Sequence, residues 1–366
     1  MSPSARPKPR TGAAPKARRA RASAAARAGV GPSPPARPAP PARPQGPRAA
    51  ASAEPAAASA GGFAWWRLAV ALAVAAPLAL GVQRVVQVKV SQHVVLEPLA
   101  PLVGQGQAPG NLSAVASIKA DGHGGIVTLC RVGDAWRVQH FDQGLTLLAW
   151  RDLPAHQFGE LSDLAPLPGG GGAWLASLDG SLWRLGPDLK PAAKPVKTGR
   201  SELRSIDVLP DGSLLALDVS TSSLVALDAQ GRQTADTPVK SAAGARSLTL
   251  VPEGVAWLEF RGDAVWVRVL DLTGRTLRRF LVEGVGASAP DRLAASGNVL
   301  IINDAAGAKG VVFYDVSGRP LGNNLGVGAN PVINPGFVAG DPAGGVAYIH
   351  YGAGLVKVRL PWREKP

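Results

Sequence analysis

A single cysteine, Cys130, stands in 366 residues. One thiol excludes any disulfide within the chain and any zinc site built on paired cysteines. It fits a cytosolic protein, and equally a bacterial periplasmic domain large enough to fold without cross-links. Its setting, Ile126-Val127-Thr128-Leu129-Cys130, marks it as a small buried hydrophobe. Histidine is also scarce: His93, His123, His140, His156 and His350 are scattered without metal-ligand spacing. No P-loop, dinucleotide fingerprint, helical His-Glu-x-x-His or Gly-x-Ser-x-Gly elbow occurs, which removes the enzyme classes those motifs mark. Helical periodicity is missing after residue 90, which argues against an α or α/β body.

The first 62 residues lack aromatics altogether and hold one acid, Glu54, against eleven Lys and Arg. Beyond them 28 basic and 25 acidic residues nearly balance, so the formal charge of +13 belongs almost wholly to this tail. Built from Ala, Pro, Arg, Gly and Ser, the tail has too little apolar area to offset chain entropy and is expected to be disordered. Lys16, Arg18, Arg19 and Arg21 form its densest basic cluster. Such a cluster can hold anionic lipid, or touch nucleic acid through phosphates in a non-specific, salt-sensitive way; the plainer reading is a solvated topology anchor.

Residues 63–82 are apolar apart from Arg67. Twenty helical residues rise about 30 Å, the thickness of a hydrocarbon core. Trp65 and Trp66 suit the interfacial belt, and Arg67 can snorkel to the headgroups. The segment 63–84 therefore reads as a single-pass transmembrane signal anchor, with a cleaved signal peptide and a buried soluble helix as competing readings. The basic tail places itself in the cytoplasm and the rest of the chain outside it. The Ala/Arg/Gly/Pro bias suggests a bacterial source, hence an inner-membrane protein facing the periplasm.

What fills the last two thirds is repetition. Six stretches of 42 to 46 residues each read strand, turn, strand, turn. Turn signals recur at Pro168-Gly169-Gly170, Pro210-Asp211-Gly212 and Pro252-Glu253-Gly254, 42 residues apart both times. A second turn recurs at Asp142, Gly186, Asp228, Asp271 and Asp315, spaced 44, 42, 43 and 44 residues. Asp and Gly return there because a tight turn needs an Asx-type hydrogen bond and a positive φ. A period of this length in all-β units means propeller blades. The chain is thus expected to be all-β, a six-bladed propeller of four-stranded blades over residues 85–366, with 85–112 as closing strand and linker and 113–366 as blades. The sixth unit lacks an outer strand. A strand within residues 86–97, where Val86–Ser91 alternates strictly, is expected to complete it, with Leu99–Asn111 leading into the first blade. The competing reading extends the helix through Val82–Val95.

The unit Ser205-Ile206-Asp207-Val208-Leu209-Pro210-Asp211-Gly212-Ser213-Leu214-Leu215-Ala216-Leu217-Asp218, followed by Ser223–Gly231, resembles one repeat of the NHL and TolB-like six-bladed propellers. The resemblance is strongest at residues 203–231 and covers about 113–360. It implies a fold and no single activity, since such propellers include scaffolds, lactonases, quinoproteins and peptide binders.

One set of residues could carry chemistry. Asp218, Glu259, Asn303, Asp304 and His350 close the second strands of successive blades, which can face the central channel. Gluconolactonase-type propellers hold a divalent cation there with Glu, Asn and Asp oxygens. Here the first two blades offer no matching carboxylate. The preferred reading has Asp218 capping its own turn and the others as rim polar residues, without a cofactor. Trp136, Trp174, Trp183, Trp257 and Trp266 read as packing between blades. The sequence thus points to a tethered protein-interaction module or scaffold of the cell envelope, with no catalytic set of its own picked out, its partners the bilayer and envelope proteins. A metal-dependent hydrolase or lactonase using the channel-mouth set is the alternative.

Overall fold

The computed structural model describes residue 94 and residues 96–362, except 240–244, 284, 286–291, 305–309, 325, 328–329, 332–335 and 353. The tail, the apolar segment with Trp65, Trp66 and Arg67, and the alternating run Val86–Ser91 lie outside these residues.

Each repeat folds into an antiparallel meander. Blade one is Ala114–Ala120, Ile126–Val132, Ala135–Phe141 and Leu147–Pro154. Blade two is Leu161–Pro166, Ala173–Ser177, Ser181–Leu185 and Val196–Lys197. Blade three is Leu203–Val208, Leu214–Asp218, Ser223–Leu227 and Gln233–Pro238. Blade four is Leu248–Val251, Gly254–Arg261, Ala264–Leu270 and Thr276–Leu281. Blade five is Leu293–Ser296, Val299–Asp304, Gly310–Asp315 and Pro320–Asn324. Blade six takes Phe337–Gly340, Val346–Tyr351 and Gly354–Arg359 from the end of the chain. The first strand of each blade touches the first strand of the next, and that of blade six touches that of blade one. The fold is a closed six-bladed β-propeller.

The turn between third and fourth strands shows why the period is so regular. Asp228 Oδ1 accepts the backbone N–H groups of Gln230 and Arg232, each at 2.9 Å, and Gly231 takes the positive φ that a side chain would resist. Asp271 and Asp315 repeat the arrangement. In all three turns an Arg four residues on returns to the same carboxyl: Arg232, Arg275 and Arg319 at 2.8, 3.0 and 2.9 Å. The repeated motif is therefore Asp-x-x-Gly-Arg.

The core lies between blades. Six apolar clusters occupy the six seams. Trp136 and Trp183 fill the seam of blades one and two, Trp174 that of two and three, Trp257 that of three and four. Trp266 departs from the expectation. It is half-buried on blade four, with the Arg279 guanidinium 4.2 Å from its ring centre. Cys130 is fully buried in the seam of blades six and one, and burial pushes its thiol up to about 11.

Closure comes from the N-terminal side, further along the chain than the expected span. Glu97–Pro98 pairs with Arg359 and Val358, and Val103–Gly104 pairs with Leu355 and Gly354. The stretch read as a linker, Leu99–Asn111, thus supplies half of blade six's fourth strand. Val94 donates to the Asn323 carbonyl of blade five at 2.9 Å, and Leu96 is fully buried between blades five and six. Pairing runs on past Pro98, Leu99 N–H donating to the Lys357 carbonyl at 2.8 Å, and breaks where four strap residues, 99–102, stand against two of the partner strand. Pro98 and Pro101, which have no N–H to donate, are tolerated at a sheet edge.

Candidate functional site

The channel is lined by the first strands, and three of these slip register at matching places. Bulges fall between Val115 and Ser117, Leu161 and Asp163, and Leu203 and Ser205. Each bulge re-aims the residue after it. Ser117, Asp163 and Ser205 thereby meet across blades one to three. Asp163, nearly fully buried, accepts from Ser117 Oγ, from Ser205 Oγ at 2.7 Å, and from the backbone N–H groups of Ile206 and Leu164 at 3.0 and 2.9 Å. Ser205 Oγ in turn accepts from Leu248 N–H at 3.3 Å, and Ser247 Oγ from Leu293 N–H at 3.2 Å. One carboxyl and three hydroxyls so tie five successive blades, and every bond satisfies a group whose burial would otherwise cost free energy.

Two cations reach across the channel. Lys119 of blade one points at Asp207 of blade three, Nζ to Oδ2 3.6 Å, and at the Leu248 carbonyl of blade four, 3.5 Å. Burial alone would lower the Lys119 pKa, but Asp207 and Asp163 outweigh it and hold the ammonium above its ordinary value. Arg292 of blade five donates to the Ala116 carbonyl of blade one at 3.0 Å, its guanidinium 4.6 Å from the Phe337 ring centre. A small cavity of about 30 Å³ opens beside them, lined by Ser117, Lys119, Asp163, Thr249, Arg292 and Phe337 among others.

The five residues picked from the sequence occupy a different place. None lines this cavity, because the second strand stands one strand outward from the channel. Asp218 caps its turn, accepting from Ser220 N–H at 3.0 Å, Ser220 Oγ at 2.6 Å and Thr221 Oγ1 at 2.8 Å, with Arg200 3.5 Å away. Glu259, with no exposed surface, sits among Arg268, Arg279 and Arg261, the last two at 3.1 and 3.8 Å. Asn303 reaches the channel indirectly. Its Oδ1 accepts from Arg292 N–H at 3.0 Å and its Nδ2 donates to the Gly336 carbonyl at 3.2 Å, fixing the start of the strand that carries Arg292. Asp304, also fully buried, ends the same second strand. His350 lies beside Phe337, ring centres 6.3 Å apart, and burial lowers its pKa to about 4. Among the described residues no three His, Cys, Asp or Glu side chains gather as a metal would require. Lys16, Arg18, Arg19 and Arg21 lie outside the described residues, and so does the segment 63–84. Among those that are described, no helix is long and apolar enough to cross a membrane.

The channel residues Ser117, Lys119, Asp163, Asp207 and Arg292 escaped the sequence reading. A signal existed: Ser117, Asp163, Ser205 and Ser247 recur at 46, 42 and 42 residues, a polar residue returning at the repeat period inside apolar strands.

No protein-family model matches the chain, and no curated protein matches it. Among solved structures it is similar to the Neurospora crassa Pan2 WD40 domain, at 15% identity with a TM-score of 0.47, covering 67% of this chain and 75% of that one. The likeness concerns the fold alone.

Proposed function

We propose that the propeller is a protein-interaction or scaffold module of a bacterial cell envelope, tethered by the apolar segment 63–84 with its basic tail in the cytoplasm and the ring in the periplasm. Its repeat resembles the NHL and TolB-like type at residues 203–231. The observation that carries the reading is where apolar side chains meet water. Among the described residues the large exposed hydrophobics are Leu102, Leu148, Trp150, Leu272, Leu277 and Leu281, between 36% and 59% exposed. All six belong to outer strands or to segments joined to them, so the rim is the sticky part of the ring. The channel's own polar groups are tied to one another, which supports a fixed frame. The tail adds weak, salt-sensitive contact with anionic lipid or nucleic acid.

The alternative hydrolase would draw on Asp218, Glu259, Asn303, Asp304 and His350. Asp218 and Glu259 are already held by their own arginines, and that favours the scaffold.

A photo-crosslinking residue at Leu277 or Leu281, in the full chain in its native membranes, tests the reading. One protein species should be captured in high yield, and Asp at whichever of positions 277 and 281 does not carry the crosslinker should abolish capture while the urea midpoint holds. A chain recovered uncrosslinked and monomeric from those membranes would end the proposal.

A further inference from the structure

The exposed apolar residues fall on two opposite rims. In a six-membered ring blades one and four face away from each other. Leu272, Leu277 and Leu281 belong to blade four. Leu148 and Trp150 lie on the fourth strand of blade one, and Leu102 lies on the strap that closes blade six.

These last three stand on segments that border one seam. Ala100 and Val103 of the strap and Leu147 of blade one pack on the same apolar cluster. Their exposed chain neighbours Leu102 and Leu148 thus stand on the two segments that border that seam. Trp150 joins them through Arg137. Its guanidinium stacks over the Trp150 ring at 5.0 Å, is held by Asp152 at 2.6 and 2.8 Å, and donates to the Gln107 carbonyl of the strap. The strap is also fastened to blade one by Gln139, which accepts from Gly110 N–H and donates to the Asn111 carbonyl, both at 2.8 Å. The patch is thus a rigid rim presenting two leucines and a tryptophan that carries a paired cation on its face. A Trp in that setting suits the boundary between headgroups and acyl chains.

The chain outside the structure says which surface is near. It enters at Val94 against the outer strand of blade five and runs directly into the strap. From Arg84 to Val94 is ten residues, a reach of at most about 36 Å when fully extended. Joined to the rim, and not to a face of the ring, a tether of that length holds the Val94 edge within about 36 Å of residue 84.

We infer that Leu102, Leu148 and Trp150 seat this rim on the lipid surface, so that the ring stands edge-on with blade four pointing away from the membrane. This rests on the tethered reading of residues 63–84.

The buried, high-pKa Cys130 makes a direct test possible, because an added thiol can be labelled alone at neutral pH. Full-length Leu148→Cys and Leu281→Cys chains, each carrying an environment-sensitive fluorophore, are placed in phosphatidylethanolamine–phosphatidylglycerol vesicles whose acyl chains bear a quencher. The probe at position 148 should be quenched several-fold more than the probe at position 281. Equal quenching overturns the inference. So does a probe at 148 that reports apolar surroundings without quenching, since a protein would then cover the patch. An alkaline carbonate wash separates the two levels of the argument. A chain that washes off loses the tether and the lipid seat together; a chain that stays while position 148 is unquenched loses the seat alone.

Discussion

Blades three and six build the same four-stranded sheet from differently arranged chain. Blade three is continuous from Leu203 to Pro238, and each strand is one turn from its neighbour. Blade six borrows its fourth strand from residues some 250 positions upstream. The seam beside each differs as well. Between blades two and three, Asp163 receives local donors inside the protein. Between blades six and one, Tyr348 Oη and Lys357 Nζ reach the Gly124 carbonyl at 2.5 and 2.8 Å, and Lys357 also reaches the Gln143 carbonyl at 2.8 Å. A ring of near-identical units has one join that local sequence cannot nucleate, and it lies where the two ends of the fold meet.

Removing residues 1–104 should break the comparison most strongly. Leu355 and Val358 lose the strand that covers them, and blade six is left with a bare edge. The urea midpoint should fall steeply, whereas a chain beginning at Val94 should keep it. An unchanged midpoint for the shorter chain would mean that the strap is ornament. Gly354 marks the same join. A side chain there would meet the Val103 carbonyl, so Gly354→Ala should weaken strap pairing where the corresponding change at the exposed Gly352 does little.

Next in size is the seam of blades two and three. Asp163→Ala leaves two hydroxyls and two backbone N–H groups without their acceptor, a loss on the order of 4 kcal/mol. Lys357→Ala, across the other seam, removes two bonds to carbonyls and should cost about 2 kcal/mol. Denaturant titrations of both variants give the ratio. A larger loss at Lys357 would reverse the ranking of the two seams.

The difference between these blades is also the difference between what could and could not be read from residues alone. The strands Leu203–Val208, Leu214–Asp218 and Ser223–Leu227 lie between the turns that the repeat marks, because Pro210-Asp211-Gly212 and Asp228–Gly231 punctuate them locally. The need for a closing strand was legible from the missing fourth strand of blade six. Its position was not, since Glu97–Pro98 and Val103–Gly104 are two-residue pairings that show no alternation. The candidate site fared less well for a similar reason. Acids at strand ends, such as Asp218 and Glu259, are conspicuous, and their partners Arg200, Arg268 and Arg279 are distant in sequence. The channel belt hangs on bulges before Ser117, Asp163 and Ser205. One extra residue inverts the facing of all that follows, so strict alternation misassigns them.

Acid should act on blade six before blade three. His350 is neutral in the folded ring, and its ring nitrogens have no hydrogen-bond partner among the described residues. Its pKa falls from 6.5 to about 4 on folding. The unfolded chain therefore binds the extra proton between those values, and stability declines as pH drops from about 6.5 toward 4. Asp228, Asp271 and Asp315, whose pKa values are lowered mainly by turn hydrogen bonds and Arg neighbours, lose their contribution only at lower pH. Urea midpoints at pH 7 and pH 4.5 should separate in the wild type and converge in His350→Leu. Equal slopes in the two proteins would remove His350 from the account.

The smallest effect expected is kinetic. Cys130 sits in the seam of blades six and one, and Ala216, also fully buried, sits in that of two and three. In a Cys130→Ala background, Ala216→Cys moves the only thiol from the distant join to the local one. Under native conditions each thiol reacts when its seam opens, at a rate set by the local opening free energy once normalised to the unfolded chain. If closure by the strap is the weaker join, Cys130 should be labelled a few-fold faster than the thiol at position 216, and the gap should widen in Lys357→Ala. Equal rates, both matching global unfolding, would mean that the ring opens as one cooperative unit and that its borrowed strand is held as firmly as any local one.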